Sequence, residues 1–165
     1  MPTSLTFDRR KQRALPIWLL ILVLLLIVAR LVLWKYPATS DVQADVDLVH
    51  WTSTEQAKTV AMRSHRPILY EFSAAWCGPC HALERAVFMD PELAAKINSR
   101  FVAVKVIDRQ REDGRNSSIV QQLMDLYRVN GFPTVVIAAA DGSPQDRSVG
   151  FPGRDGFEEF LDRVH

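Results

Sequence analysis

The longest apolar stretch of the chain lies near its start. Residues 14–29 are apolar, and after an interruption at Arg30 the apolar stretch continues to residue 34. A helix needs about 20 apolar residues to cross the hydrocarbon core of a bilayer, whereas the apolar region of a secretory signal has about 7–15. We therefore predict one transmembrane helix over residues 14–34. Cleavage after Ser40 or Ala44 is the alternative.

The charges on the two sides of this stretch differ. Residues 1–13 carry four basic side chains, whereas Lys35 is soon followed by Asp41, Asp45 and Asp47. Basic flanks favour the cytoplasmic side of a membrane. We therefore expect a basic tail over residues 1–13 in the cytoplasm, and a single-pass protein of the inner (cytoplasmic) membrane. The rest of the chain is then expected in the periplasm or otherwise outside the cytoplasm.

Beyond the predicted anchor, the polar residues 35–46 indicate a linker, and residues 47–165 have the length of one domain. Within this domain, apolar residues at helical spacing predict helices, and short β-branched apolar runs predict strands. The turn residues Asp141-Gly142-Ser143-Pro144 predict a β-hairpin whose strands lie on either side of them. The predicted helices cover residues 53–65, 80–88, 91–99, 118–129 and 155–164, and the predicted strands cover residues 68–73, 101–107, 134–140 and 146–150. This order indicates an α/β fold with a central mixed β-sheet flanked by helices.

Charge and composition narrow the class of protein. The 165 residues have a formal net charge of +1. Outside the N-terminal tail the basic residues are scattered, apart from Arg109 and Arg111 in a predicted exposed loop over residues 108–116. A nucleic-acid-binding domain carries a concentrated basic face, so we expect no nucleic-acid partner.

Two cysteines, the only ones in the chain, carry the candidate chemistry. They occur in the segment Trp76-Cys77-Gly78-Pro79-Cys80, shortly after a predicted strand. Their spacing allows one thiolate to attack a disulfide and the other to resolve the product. A Gly-Pro turn into a helix places the first sulfur at the helix N-terminus, where a thiolate is favoured. Cys77 is therefore the candidate nucleophile, and Cys80 is the candidate resolving thiol.

From about Ile68 to His165 the sequence resembles the thioredoxin fold. The segment 76–80 matches the redox motif of that family, and Gly131-Phe132-Pro133-Thr134 matches its Gly-X-Pro-Thr element. The resemblance implies that the bond before Pro133 is cis and that this proline lies against the cysteine pair. The backbone of Phe132 is then free to pair with a substrate strand. The alternative is a trans proline that begins an ordinary edge strand.

The same resemblance implies roles for further side chains. Glu71 takes the place of a buried carboxylate that relays a proton from the resolving cysteine, and Lys105 that of a lysine that pairs with it. The alternatives are a solvent-facing Glu71 and an exposed Lys105. Trp76 is expected to cover the nucleophile and contact partners, with core filling as the alternative. Substrate contacts are expected from Trp76, Gly78, Pro79, Phe132, Pro133 and Thr134.

Within this family, the sequence is similar to the C-terminal periplasmic domain of the transmembrane reductase DsbD. The likeness rests on Phe88-Met89-Asp90-Pro91-Glu92, on residues 101–106 and on Gly150-Phe151. It implies a singly anchored relative that reduces disulfides in protein substrates and receives electrons from a membrane thiol reductase. The Gly-Pro pair between the cysteines is that of reducing thioredoxins, which favours this direction.

Alternatives to a disulfide reductase stay open. The same fold could oxidise or isomerise disulfides, or bind other proteins without using its cysteines. The segment 77–81 also matches the Cys-X-X-Cys-His attachment signature of c-type haem, for which Met89 or Met124 would have to be the distal ligand. A zinc site made of Cys77, Cys80 and His81 would lack the fourth ligand that structural sites prefer. We expect no metal and no cofactor besides the redox-active cysteine pair.

Overall fold

The structure is a computed structural model that describes residues 17–35 and 47–164. The chain divides into two compact units, Met1–Val42 and Gln43–His165. The predicted basic tail and, except for Lys35, the predicted linker lie outside the described residues. Both stay predictions.

The first unit contains helix α1, Ile17–Lys35. Apart from the half-buried Leu19, every side chain from Ile17 to Val28 is apolar and exposed. Within residues 17–35 and 47–164, no helix has the length and apolar character that a membrane crossing requires. The transmembrane helix predicted over residues 14–34 is therefore not confirmed.

The second unit is built on a four-stranded mixed sheet in the order β2–β1–β3–β4. The strands are β1, Ile68–Ala74; β2, Val102–Asp108; β3, Thr134–Ala138; and β4, Pro144–Val149. β1 pairs in parallel with β2 and antiparallel with β3, which pairs antiparallel with β4. All four predicted strands are confirmed, with ends that differ by at most two residues.

Helices cover both faces of this sheet. They are α2, Ala57–Ser64; α3, Gly78–Leu83; α4, Pro91–Arg100; α5, Gln110–Asp113; α6, Ser118–Leu126; and α7, Arg154–Asp162. A π-helical turn, Glu84–Phe88, continues α3. Side chains of α3, α4 and α7 share one core with Leu69, whereas those of α2 and α6 share another with Tyr70. Because neighbouring residues of a strand point to opposite faces, the central strand β1 contributes to both cores.

The two edges of the sheet are not alike. β4 forms one edge and is mostly exposed along its polar sequence Pro144–Val149. On the opposite side, Trp51 forms an isolated parallel bridge to Ala103 of β2. The segment before α2 therefore covers part of the β2 edge.

Several predicted helix ends were wrong. α2 begins at Ala57 and not at residue 53, because residues 54–56 form turns, and its N-cap residue Gln56 makes no side-chain capping hydrogen bond. α6 ends at Leu126, and Arg128 beyond it adopts a left-handed conformation with φ of 51°. α7 begins at Arg154, one residue before its predicted start at residue 155. The predicted loop 108–116 contains the short helix α5.

The start of α4 is as predicted. The Asp90 carboxylate accepts hydrogen bonds from the N–H groups of Glu92 and Leu93, at 3.0 and 2.9 Å. Pro91 follows in the first turn, where a proline removes no helical hydrogen bond. Residue type alone was sufficient here because both interactions are local.

Candidate active site

The cysteine pair lies where the central strand of the sheet ends. β1 ends at Ala74, whose carbonyl accepts a hydrogen bond from the Cys77 N–H at 3.0 Å. Cys77 caps α3, and Gly78 and Pro79 form its first positions. Proline is favoured there because the first N–H groups of a helix have no partner within it. The strand, turn and helix predicted around the motif are confirmed.

Cys77 and Cys80 are joined by a disulfide. The Cys77 Sγ accepts a hydrogen bond from the Cys80 N–H at 3.2 Å. This sulfur therefore lies at the positive end of α3, as the spacing predicted. The two cysteines are only 2% and 5% exposed, and they cluster with Ala74 and Phe132. A partner reaches the sulfurs only by close approach to these neighbours.

Aromatic side chains border the disulfide. Trp76 is 47% exposed, so core filling was the wrong alternative for it. The Phe132 ring lies edge-on to the Trp76 ring, with centroids 5.9 Å apart. Gly78 and Pro79 are exposed beside them. The disulfide thus has an apolar, accessible rim.

The segment between α6 and β3 contains the cis proline. The Phe132–Pro133 peptide bond is cis, as the resemblance implied, so the trans alternative was wrong. The Pro133 carbonyl accepts a hydrogen bond from the Gly150 N–H at 2.8 Å. The Thr134 hydroxyl donates to the Gly131 carbonyl, also at 2.8 Å. These two hydrogen bonds hold in place the segment 131–134, whose Phe132 packs against the cysteine cluster.

Glu71 is buried in β1, on the sheet face that packs against α3. It is 2% exposed, and its carboxylate accepts a hydrogen bond from the Ser73 hydroxyl at 3.1 Å. Burial raises the pKa of Glu71 from 4.5 to about 7, against the opposing effects of the Lys105 charge and the Ser73 hydrogen bond. Glu71 and Cys80 line the same cavity of about 190 Å³. The solvent-facing alternative for Glu71 was therefore wrong.

Lys105 lies opposite Glu71 in the register of β1 and β2. Its ammonium group, however, binds the carboxylates of Asp47 and Glu84, at 3.0 and 2.8 Å. It also lies 4.9 Å from the centroid of the Trp51 ring. Lys105 is thus neither exposed nor ion-paired with Glu71, and both predictions for it were wrong. Its charge acts on Glu71 only from a distance.

The residues weighed as haem or zinc ligands make other contacts. The His81 Nε2 lies 3.0 Å from the Ala75 carbonyl oxygen, and its Nδ1 lies 3.8 Å from the Glu84 carboxylate. The Met124 sulfur accepts a hydrogen bond from the Asn116 amide at 3.6 Å. In the part of the chain that the structure describes, no three histidine, cysteine or acidic side chains are grouped to hold a metal ion.

Sequence reasoning missed one residue at the site. The Arg111 guanidinium lies over the Trp76 ring, 4.0 Å from its centroid. The sequence predicts only a charged loop here. The signal that could have found Arg111 is the strand topology, because the carboxyl ends of neighbouring parallel strands lie side by side. β2 leads into α5 beside the point where β1 leads into Trp76.

Together, the fold and the paired cysteines define a thiol:disulfide oxidoreductase that exchanges electrons through its own sulfurs. A family model described as "Thioredoxin-like domain" matches residues 54–165, and the chain belongs to this family. Oxidoreductases of this family use the cysteine pair without a further cofactor, in agreement with the sequence prediction.

Curated relatives include DsbD proteins, as the sequence motifs indicated. The chain is 27% identical over 156 residues to the thiol:disulfide interchange protein DsbD of Photorhabdus laumondii, covering 90% of this chain and 26% of that protein. It is 30% identical over 112 residues to DsbD of Vibrio vulnificus, covering 67% of this chain and 18% of that protein. The chain thus spans about a quarter or less of these relatives.

Solved structures show the same fold. The oxidised C-terminal domain of DsbD from Neisseria meningitidis superimposes with a TM-score of 0.54 at 24% identity. The match covers 66% of this chain and 89% of that domain. The thioredoxin fold predicted for the second unit is confirmed.

We predict that Glu71→Gln removes a pH dependence of stability between pH 4.5 and about 7. In this range the folded wild type holds a proton on Glu71 that the unfolded chain has released. Stability should therefore fall as the pH rises through the range, by about 3 kcal/mol, and level off above it. The measurement is the free energy of unfolding of both oxidised proteins at a series of pH values.

Exposed Glu159→Gln is the matched control and should keep the wild-type dependence. Equal pH profiles for the wild type and Glu71→Gln would contradict the raised pKa.

Proposed function

We propose that this protein is a membrane-anchored reductase of protein disulfides that works outside the cytoplasm. The observation that carries the proposal is the Cys77–Cys80 disulfide at the start of α3, beside the exposed Trp76 and the cis bond before Pro133. A sulfur that receives a helix N-terminal N–H is stabilised as a thiolate, which is the attacking form.

The reaction is a two-step exchange that begins from the dithiol form. The Cys77 thiolate attacks one sulfur of a substrate disulfide and forms a mixed disulfide with it, while the S–S bond of the substrate breaks and its other sulfur leaves as a thiolate. Cys80, as its thiolate, then attacks the Cys77 sulfur and releases the second substrate thiolate. The substrate gains two electrons and two protons, and the Cys77–Cys80 bond forms again.

Glu71 is the proposed proton acceptor for Cys80. The second step needs Cys80 to lose a proton while it is buried, and Glu71 shares its cavity. With a pKa of about 7, Glu71 can both take up and release a proton near neutral pH. The Lys105 charge is already bound by Asp47 and Glu84, so it does not hold Glu71 in the ionised form.

The rim around the disulfide is the proposed substrate-binding surface. Trp76, Gly78 and Pro79 are exposed, and Phe132 packs on the cysteine cluster. We assign the backbone before Pro133 to pairing with an extended substrate segment, as the family resemblance implies. Thr134 holds this segment through its bond to the Gly131 carbonyl.

Reduction is the proposed direction because of the residues between the cysteines. Gly78 and Pro79 form the pair found in reducing thioredoxins, whose potentials lie near −270 mV, whereas the oxidant DsbA lies near −120 mV. The electrons are proposed to come from a membrane thiol reductase. This assignment draws on the DsbD relatives, which are named thiol:disulfide interchange proteins.

Residues 14–34 are the proposed anchor. Support comes from the apolar sequence on both sides of Arg30 and from the exposed apolar side chains of α1. Exposed apolar surface of this extent is unfavourable in water and favourable in lipid. The basic residues before it and the acidic residues after it support a cytoplasmic N-terminus and an extracytoplasmic domain.

We predict that Cys80→Ser traps substrates. Without the resolving thiol, Cys77 should remain joined to partner proteins, and these adducts should disappear on reduction with dithiothreitol. The measurement is non-reducing electrophoresis of cells that express the full chain, after acid quenching. Cys77→Ser is the matched control and should give few adducts. Adducts of equal amount in both variants would contradict the assigned order of attack.

We predict a reduction potential of about −250 mV or lower for the cysteine pair. The full chain in non-ionic detergent would be equilibrated with mixtures of oxidised and reduced dithiothreitol, and the free thiols would be counted by alkylation and mass spectrometry. A potential of about −180 mV or higher is typical of isomerases and oxidants. Such a value would overturn the proposed direction while leaving the exchange chemistry intact.

We predict that alkaline phosphatase fused after residue 46 is active in bacterial cells, whereas a fusion after residue 13 is inactive. That enzyme folds only where disulfides form, outside the cytoplasm. Deletion of residues 14–34 should abolish the activity of the first fusion and release the protein from carbonate-washed membranes. Equal activity of both fusions, or a soluble full chain, would overturn the anchor.

A further inference from the structure

The loop after β2 presents charge at the rim of the disulfide. It runs from Arg109 to Asn116 and contains α5, Gln110–Asp113. β2 pairs in parallel with β1, so the loop after β2 leaves the sheet beside the carboxyl end of β1, where β1 leads to the cysteines. The position of the loop therefore follows from strand pairing.

The loop is closed by its last residue. The Asn116 side-chain oxygen accepts a hydrogen bond from the Arg109 N–H at 2.8 Å, and its amide donates to the Asp108 carboxylate at 2.6 Å. Gly114 ends α5 with a φ of 73°, which glycine adopts at low cost. Two hydrogen bonds from one side chain thus tie together the two ends of the loop, so Arg111 is carried on a defined turn.

Arg111 is held against the rim itself. Its guanidinium lies 4.0 Å from the centroid of the Trp76 ring, well within the range of a cation–π interaction. Trp76 in turn contacts Phe132, which packs on the cysteine cluster. The positive charge is therefore one aromatic ring away from the residues that surround the disulfide.

Arg111 and Arg109 of this loop differ in whether their side chains form an ion pair. Arg109 is ion-paired with Asp113 at 2.6 Å. The ion pairs formed within residues 47–164 do not include the Arg111 guanidinium. Its flat face is occupied by Trp76, while its N–H groups at the edge are available for hydrogen bonds to an approaching carboxylate.

We propose that Arg111 is a specificity-determining residue that favours substrates with a carboxylate beside the reacting cysteine. The proposal rests on the exchange chemistry proposed above. An Asp or Glu next to the substrate cysteine would meet the guanidinium as the sulfur approaches Cys77. A Lys or Arg in the same place would be repelled. For such an exposed pair, a preference of about two- to fivefold is expected at low ionic strength, and salt should weaken it.

The test uses three symmetrical peptide disulfides that differ only in the residue flanking each cysteine: Glu, Gln or Lys. Symmetry places the same residue beside whichever sulfur is attacked. The full chain in non-ionic detergent is first reduced and freed of reductant. Single-turnover rates are then measured as peptide thiol released after acid quenching. The wild type should reduce the Glu peptide fastest and the Lys peptide slowest, with a narrower spread at high salt.

Three variants separate charge from packing. Arg111→Gln should bring the three rates together, and Arg111→Glu should invert their order. Arg111→Lys keeps the charge and should keep the order. Exposed Arg115→Gln, in the same loop, is the matched control and should behave like the wild type.

The outcomes distinguish this inference from the proposed function. Equal rates for the three peptides in the wild type, or an unchanged order in Arg111→Glu, would overturn the role of Arg111 while leaving disulfide reduction intact. If the Arg111 variants reduced all three peptides more slowly than the wild type by the same factor, the role of Arg111 in specificity would also be overturned. An equal loss for all peptides is expected of a residue that only positions Trp76. Failure of the wild type to reduce any peptide would instead contradict the proposed function.

Discussion

The hydrogen-bonded pairing of β1 with both β2 and β3 is the constraint on which the site depends. Because β2 runs parallel to β1, the turn after β2 lies beside the turn after β1, at the carboxyl end of β1. Because β3 runs antiparallel to β1, β3 begins at that same end. Cys77, Arg111 and Pro133 come from three distant parts of the sequence, and this one arrangement of strands brings all three to that edge. The disulfide, its aromatic rim and the charge above it are therefore consequences of strand order as much as of the cysteine motif.

The second constraint is the burial of ionisable groups beneath the site. A carboxylate inside an apolar face is unfavourable unless a cation or several donors compensate for the lost water. Glu71 accepts one hydrogen bond, from the Ser73 hydroxyl. The nearby Lys105 forms ion pairs with Asp47 and Glu84 instead. The result is a carboxyl group whose pKa of about 7 suits proton exchange rather than permanent charge. The position of Lys105 matters here as much as its presence.

The sequence predicted those features that depend on local chemistry. Apolar, largely β-branched runs predicted β1, β2 and β3, whereas the turn residues after β3 predicted the polar β4. The start of α4 follows from Asp90 and Pro91, and the place of the disulfide follows from the motif between β1 and α3. It failed where tertiary contacts decide. Lys105 occupies its expected position, but its partners come from Asp47, 58 residues away, and Glu84, 21 residues away, and spacing within one strand cannot reveal them. Likewise α5 depends on the closing bonds of Asn116.

The two edge strands of the sheet, β4 and β2, affect whether copies of this protein can associate by strand pairing at high concentration. An uncovered edge strand offers its backbone groups to any other strand, and for a protein proposed to pair with extended substrates this includes its own copies. At β4, Pro144 has no N–H to donate, and Asp146 and Arg147 bring charge to the edge. At β2, Trp51 already occupies part of the ladder. Association of copies through their sheets is thus disfavoured at both edge strands, β4 and β2.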